Sequence, residues 1–165
     1  MLQIIRAGSM HLPAIHDLAN VIWPDTFREI LSAEQITYML NLMYNIEVLM
    51  ELQKKKDHQF LLAILKDEPV GFAFYHPKEN YPSISRLSKI YLLSYHQRKG
   101  IGKKIIDYIC KELVAGGFSL LELNVNRNNK ALGFYEKLGF EIAGEEDIDI
   151  GQGYFMNDYI LQRRL

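Results

Sequence analysis

Between positions 95 and 109 the chain reads YHQRKGIGKKIIDYI, a turn with two glycines and four cations that runs straight into an apolar-periodic segment. The segment before it, SISRLSKIYLL (83–93), alternates as a strand does, and Ile105, Ile106 and Ile109 follow at helical spacing. A strand, a bare basic turn and a helix in this order constrain the fold more than any other stretch. The first N–H groups of a helix have no partner within it, and the helix dipole places about half a positive charge there. Glycines at 100 and 102 clear side chains from the approach, and Arg98, Lys99 and Lys103 add charge, so the turn reads as a cradle for a diphosphate. The plain alternative is a basic helix start whose glycines only bend the chain. Two commoner phosphate motifs are excluded. A Walker A loop needs a hydroxyl after Gly-Lys, where this chain has Lys104. A dinucleotide fingerprint needs a glycine at 105, where this chain has Ile, and it belongs after a first strand.

Hydropathy along the rest of the chain predicts one α/β domain over residues 1–165 with a mixed sheet. LQIIR (2–6) is a short strand. A helix follows from about His11 and ends at Trp23-Pro24. Ser32 with Gln35 resembles a capping box for a second helix, and a third helical piece spans about 46–55. FLLAIL (60–65) and VGFAFYH (70–76) form a hairpin across Asp67-Glu68-Pro69, and 77–82 is a loop. LLELNV (120–125) is a strand, 128–139 a helix stopped by Gly139, and two last strands close the chain. The order is β-α-α-β-β-β-α-β-α-β-β, with the third helical piece after the second helix.

Composition narrows the function. With 19 basic and 20 acidic residues, the chain lacks the basic excess of a nucleic-acid binder. Its one cysteine, Cys110, allows no internal disulfide and reads as a packed core thiol. The five histidines are dispersed, and the closest pair, His11 and His16, does not share a helix face, so no metal is expected. The N-terminus does not read as a signal peptide, and no run approaches the ~20 apolar residues that cross a bilayer. The expectation is a cytoplasmic protein with no membrane partner.

Two motifs together carry a resemblance. One is Gln97-Arg98-Lys99-Gly100-Ile101-Gly102, entered by the strand KIYLLSYHQ (89–97). The other is Asn128-Asn129-Lys130-Ala131-Leu132-Gly133-Phe134-Tyr135-Glu136-Lys137-Leu138-Gly139-Phe140. In this order and on these elements the chain resembles the GNAT superfamily of N-acetyltransferases, from residue 2 to about 162 and most closely between 86 and 140. The tail GYFMNDYIL is also similar to bacterial members of polyamine type.

The resemblance implies a sheet splayed between the fourth and fifth strands, with acetyl-CoA as co-substrate. Gln97 to Lys103 (Gln97, Arg98, Lys99, Gly100, Ile101, Gly102 and Lys103) would hold its pyrophosphate. Backbone groups at Ile90, Tyr91 and Leu92 would pair with the pantetheine arm, and an N–H near Leu92 would polarise the thioester carbonyl. Tyr135 would be the general acid toward the coenzyme A thiolate, its plain alternative being packing against the sheet. An asparagine should bond the cofactor arm; counts from the two flanking motifs disagree by one residue, favouring Asn129, with Asn128 as helix cap. Arg86 and Asn124 stand where relatives place carboxylates. That leaves a water chain or Glu122 as proton acceptor, with an exposed, non-catalytic Glu122 equally open.

The acceptor pocket is expected from the first two helices and the last hairpin. Its aromatic candidates are Trp23, Phe27, Tyr38, Tyr44 and Tyr154, and its acidic ones Glu29, Glu34, Asp147 and Asp149. Such a pocket suits a small primary amine, a polyamine among them. Acetylation of a protein or peptide, and a sensor that binds acyl-CoA without turnover, are the competing readings. Either a monomer or a homodimer is compatible with the sequence.

Overall fold

A computed structural model describes all of residues 1–165. Seven strands form one mixed sheet: β1 (Leu2–Arg6), β2 (Gln59–Leu65), β3 (Glu68–Lys78), β4 (Tyr81–Leu92), β5 (Leu120–Asn126), β6 (Glu141–Gly151) and β7 (Tyr154–Arg164). In space they run β1-β2-β3-β4-β5-β7-β6. Helices α1 (Leu12–Phe27), α2 (Ala33–Tyr44) and α3 (Ile46–Lys54) cover one face, and α4 (Ile101–Ala115) and α5 (Leu132–Lys137) the other. The expected order holds, with the third helical piece present as α3. No helix is long and apolar enough to cross a membrane.

Each face has its own core. Ile105, Ile106 and Ile109 of α4 recur on one helix side and are buried against Leu121 and Leu123 of β5, each contributing about 2 kcal/mol. Cys110 packs in this core, where burial pushes its thiol pKa up and leaves it unreactive. On the other face Ile15, Ile22 and Trp23 of α1 pack on Phe72 and Phe74 of β3.

The sheet opens between β4 and β5. These strands are parallel and pair only at Ile84, Ser85 and Arg86 with Leu120, Leu121 and Glu122. Beyond Arg86 they part. The cause lies in β4: Leu87 stands opposite Tyr75 and Lys89 opposite Phe74, so Ser88 is an extra residue, a β-bulge that bends the strand. The bulge also reverses which face each side chain takes. Leu87 lies in the α4 core, yet Lys89, two residues on, turns to Tyr44 on the α1–α2 side.

A buried ion cluster ties the strands where they begin to part. Glu122 is 1% exposed and accepts from Lys78, Arg86 and Gln162. Burial works to raise its pKa, but those hydrogen bonds and cationic charges outweigh it and hold the carboxylate below its ordinary value. Removing it strands two cations, so Glu122→Ala is expected to cost about 3–5 kcal/mol in chemical denaturation. Because the folded pKa is depressed, this stabilisation is present above the unfolded carboxylate range and lost as pH falls through the folded value.

Several local expectations are corrected. Pro24 does not end α1, which runs on to Phe27, because Trp23 and Phe27 lie one turn apart and both are buried. Only half of the capping box forms: Ser32 accepts from the Gln35 N–H, while the Gln35 side chain donates to the Phe155 carbonyl of β7. The first hairpin turns at Lys66-Asp67, both at positive φ, and Pro69 lies within β3. Residues 77–82 are mostly strand, with a tight turn at Glu79-Asn80. The second-motif helix is shorter than 128–139, since the Asn129 side chain accepts the Ala131 N–H and holds a turn ahead of Leu132.

Candidate active site

One cavity of about 1240 Å³ begins at the α4 N-terminus and passes through the β4–β5 opening. It ends in a chamber between α1, α2 and the β6–β7 hairpin. Three groups of residues define it.

At the α4 end, none of the six main-chain N–H groups from Arg98 to Lys103 has an acceptor within the protein. Gly100 supplies the entry at φ +81°, a left-handed conformation that admits glycine without strain, and Arg98 is also at positive φ, +61°. Gly102 is required for a close approach: a Cβ there would meet the Phe134 ring at 3.0 Å. The cations are partly engaged. Lys99 lies 4.3 Å over the Tyr95 ring, and Lys103 pairs with Asp107 at 2.6 Å, an exposed pair of small worth. Gln97 turns back to donate to the Leu92 carbonyl at 3.2 Å, fixing the end of β4.

Along the opening, β4 has lost its partner on one side. The Leu93 N–H donates to Val70 of β3, so by alternation the main chain of Leu92 and Ile90 faces the gap and that of Tyr91 faces β3. Tyr91 therefore meets the cavity through its ring, which packs among Trp23, Phe27 and Phe72. Across the gap stands Tyr135, 7% exposed, edge-on to Phe134 and Phe140. Its hydroxyl has no protein partner although it lines the cavity, and burial pushes its pKa well above the ordinary phenol value. Both asparagines line the cavity. Neither caps α5, whose N-cap is Ala131: the Asn129 oxygen takes the Ala131 N–H in the turn ahead of the helix, while the Asn128 side chain makes no hydrogen bond within the protein.

In the chamber the acceptor-side candidates separate. Trp23, Phe27, Tyr44 and Glu29 line it. Tyr38 and Tyr154 instead pack against each other, tilted, at 5.3 Å, and the Tyr38 hydroxyl donates to the Ile150 carbonyl, clamping α2 to the hairpin. Asp147 pairs with Arg127 at 2.6 Å, Asp149 accepts the Gly151 N–H, and neither lines the cavity, nor does Glu34. Glu122, tied into its ion cluster, is neither exposed nor free to take a proton.

Two chamber residues were missed by the sequence reading. Asp158 of β7 is 3% exposed and holds one hydrogen bond through its carboxylate, from Asn124 at 3.3 Å. Burial, abetted by Glu146 opposite, raises its pKa despite that bond. Lys89 is 8% exposed, pairs with no carboxylate and lies 4.3 Å over the Tyr44 ring. Desolvation lowers its pKa to about 8. The signal for Asp158 was an acid between Met156 and Ile160, on the apolar phase of its strand. For Lys89 the bulge hid which face it would take. No group of three or more potential metal ligands lies together anywhere in the fold.

Known proteins resemble this chain in sequence and in fold. The family model described as Acetyltransferase (GNAT) family matches residues 12–140. The Uncharacterized N-acetyltransferase YuaI of Bacillus subtilis (strain 168) is 29% identical over 92% of this chain and 93% of its own. The Peptidyl-lysine N-acetyltransferase YjaB of Salmonella typhimurium is 31% identical over 54% of each protein, so the chain spans about half of that relative's length. Among solved structures, PaiA N-acetyltransferase from Thermoplasma acidophilum, in complex with coenzyme A, superposes with TM-score 0.85 at 25% identity. That likeness covers 100% of this chain and 99% of the other. The family match takes in the splayed strands, the basic turn and Tyr135, leaving outside it only β1 and the closing hairpin. The chain belongs to the GNAT family of acetyltransferases.

Proposed function

We propose that this acyltransferase moves an acetyl group from acetyl-CoA to the primary amine of a small molecule by direct attack. In this reading Tyr135 is the acid and Asp158 the base. The observation that carries it is the continuity of one cavity, with unpaired amides at one end, the partnerless Tyr135 hydroxyl midway and a desolvated carboxylate at the other. The residues present fit a thioester carrier: six free N–H groups, a glycine floor and the unpaired flank of β4 lie in sequence along the path. Acetyl-CoA supplies an activated acyl group.

The protein's own residues supply the rest. The amides of residues 98–103 bind the diphosphate without a metal, aided by the helix dipole. The Ile90 main chain and the Leu92 N–H, which face the gap, would hold the pantetheine arm as a further strand would, and the Leu92 N–H would polarise the thioester carbonyl. The Asn128 side chain is available to the same arm. Tyr135 stays protonated through neutral pH and gives its proton to the departing thiolate. The burial that weakens the phenol as an acid also raises the proton affinity of a sulfur beside it, so the transfer is not opposed. Asp158, made more basic by burial, takes the proton that the acceptor ammonium must lose before it can attack.

The experiment is thiol release from acetyl-CoA with a panel of amines. Turnover with at least one small amine is expected. Turnover with peptides alone would favour the protein-modifying reading, and coenzyme A binding without turnover on any amine or peptide would favour a sensor.

Gly102→Ala offers a second check. The new Cβ pushes on a Phe134 ring that is 37% exposed and able to swing, while the helix gains about 1 kcal/mol from losing a glycine. Stability should therefore change little, and coenzyme A affinity by calorimetry should fall by about 10-fold or more, as close backbone approach is blocked.

A further inference from the structure

Lys89 and Trp23 each carry a buried polar group without a hydrogen-bond or ion-pair partner in the protein. An ammonium buried without a counter-charge costs several kcal/mol even after relaxation, and the Tyr44 ring recovers only part of that through its π face. The indole N–H of Trp23, 3% exposed, has no hydrogen-bond partner. Burial pushes the Tyr44 hydroxyl pKa up, and the nearby Trp23 N–H, which does not reach hydrogen-bond geometry, offsets only part of that. Both side chains pack on the same Tyr44 ring, Trp23 edge-on at 5.6 Å and Lys89 over its face. Both line the chamber, on the sheet face opposite α4 and its basic turn.

Resting on the acetyl-transfer reading, we infer that the acceptor is an amine that also bears a carboxylate, seated with its carboxylate on Lys89 and the Trp23 N–H and its amine toward Asp158. The structure supplies the opposite charges at suitable places. Lys89 on β4 and Asp158 on β7, the strands that flank β5, both line the one chamber. An amino-acid-like zwitterion spans such a pair with each charge met by its opposite. The acidic run 145–151, which would suit a polycation, lies outside the chamber apart from Ile148.

The test compares the common α-amino acids, β-alanine and γ-aminobutyrate with their amides and decarboxylated amines, and with spermidine, by thiol release from acetyl-CoA. The carboxylate-bearing series should be preferred in kcat/KM by about 10- to 100-fold, the worth of one hydrogen bond to a charged group. Lys89→Met should collapse that preference toward unity through KM, and Lys89→Arg should restore part of it. Coenzyme A affinity reports whether each variant keeps its fold. Equal or better turnover of decarboxylated amines or spermidine would overturn the inference and leave the transferase reading intact, as would a preference untouched in Lys89→Met. If no acceptor turns over, calorimetry of the amino acids against coenzyme A-saturated protein decides. Heat that disappears in Lys89→Met supports the inference, and absence of heat overturns it. Failure to bind coenzyme A would instead overturn the reading on which it rests.

Discussion

Tyr135→Phe is expected to lower kcat for acetyl transfer by about 100-fold or more, the usual worth of a positioned proton donor. It should leave acetyl-CoA affinity nearly unchanged. The substitution removes one oxygen and nothing else. The ring keeps its edge-on contacts with Phe134 and Phe140, and the hydroxyl has no hydrogen bond within the protein to lose. A residue that only packs would tolerate the change, so steady-state kinetics beside a thermal melt separates the two roles. Unaltered kcat would return Tyr135 to the core. A fall in kcat accompanied by a collapse in melting temperature would point to packing instead.

Asp158→Asn should be comparably severe, about 100- to 10,000-fold in kcat at neutral pH, because the amide cannot accept the acceptor's proton. Its effect on stability runs the other way. Burial, with Glu146 opposite, raises the Asp158 pKa above its unfolded value. A carboxylate raised in this way favours the fold at pH below the unfolded pKa, and that contribution is lost as pH rises through the folded value. Once ionised, the group therefore burdens the fold, and the neutral, isosteric amide should raise the melting temperature slightly. Greater stability with little activity would mark a functional group rather than a structural one. In the unmodified protein, activity should rise with pH through an inflection above the ordinary carboxylate range, and that inflection should vanish in the variant. Loss of activity with an unchanged pH profile in the residual rate would place the base elsewhere.

Much of this was written in local sequence. The basic turn, the helix after it and the Phe-Tyr motif are contiguous patterns whose physics is local, and they located one whole wall of the cavity. The caps at Ser32 and Gly139 were legible for the same reason. What escaped depends on tertiary contacts. Pro24 marked a helix end that the burial of Trp23 and Phe27 overrides. Glu122 looked free because its partners, Lys78 and Gln162, lie far along the chain. Asp147 and Asp149 suggested a pocket wall, yet pairing of β6 with β7 turns them to Arg127 and to the hairpin turn. Lys89 was hidden by a single extra residue, Ser88, whose bulge changes the face of every side chain beyond it. A register shift of that kind leaves no trace in alternation read along one strand.

Amides 98–103 gripping a diphosphate underlie every step proposed for this protein. Calorimetry comparing coenzyme A with pantetheine, which lacks the diphosphate and nucleotide, tests this most directly. Coenzyme A is expected to bind saturably and pantetheine about 100-fold or more weakly, as several charge-assisted hydrogen bonds are lost. Equal affinity for the two ligands, or no heat with coenzyme A at all, would contradict it.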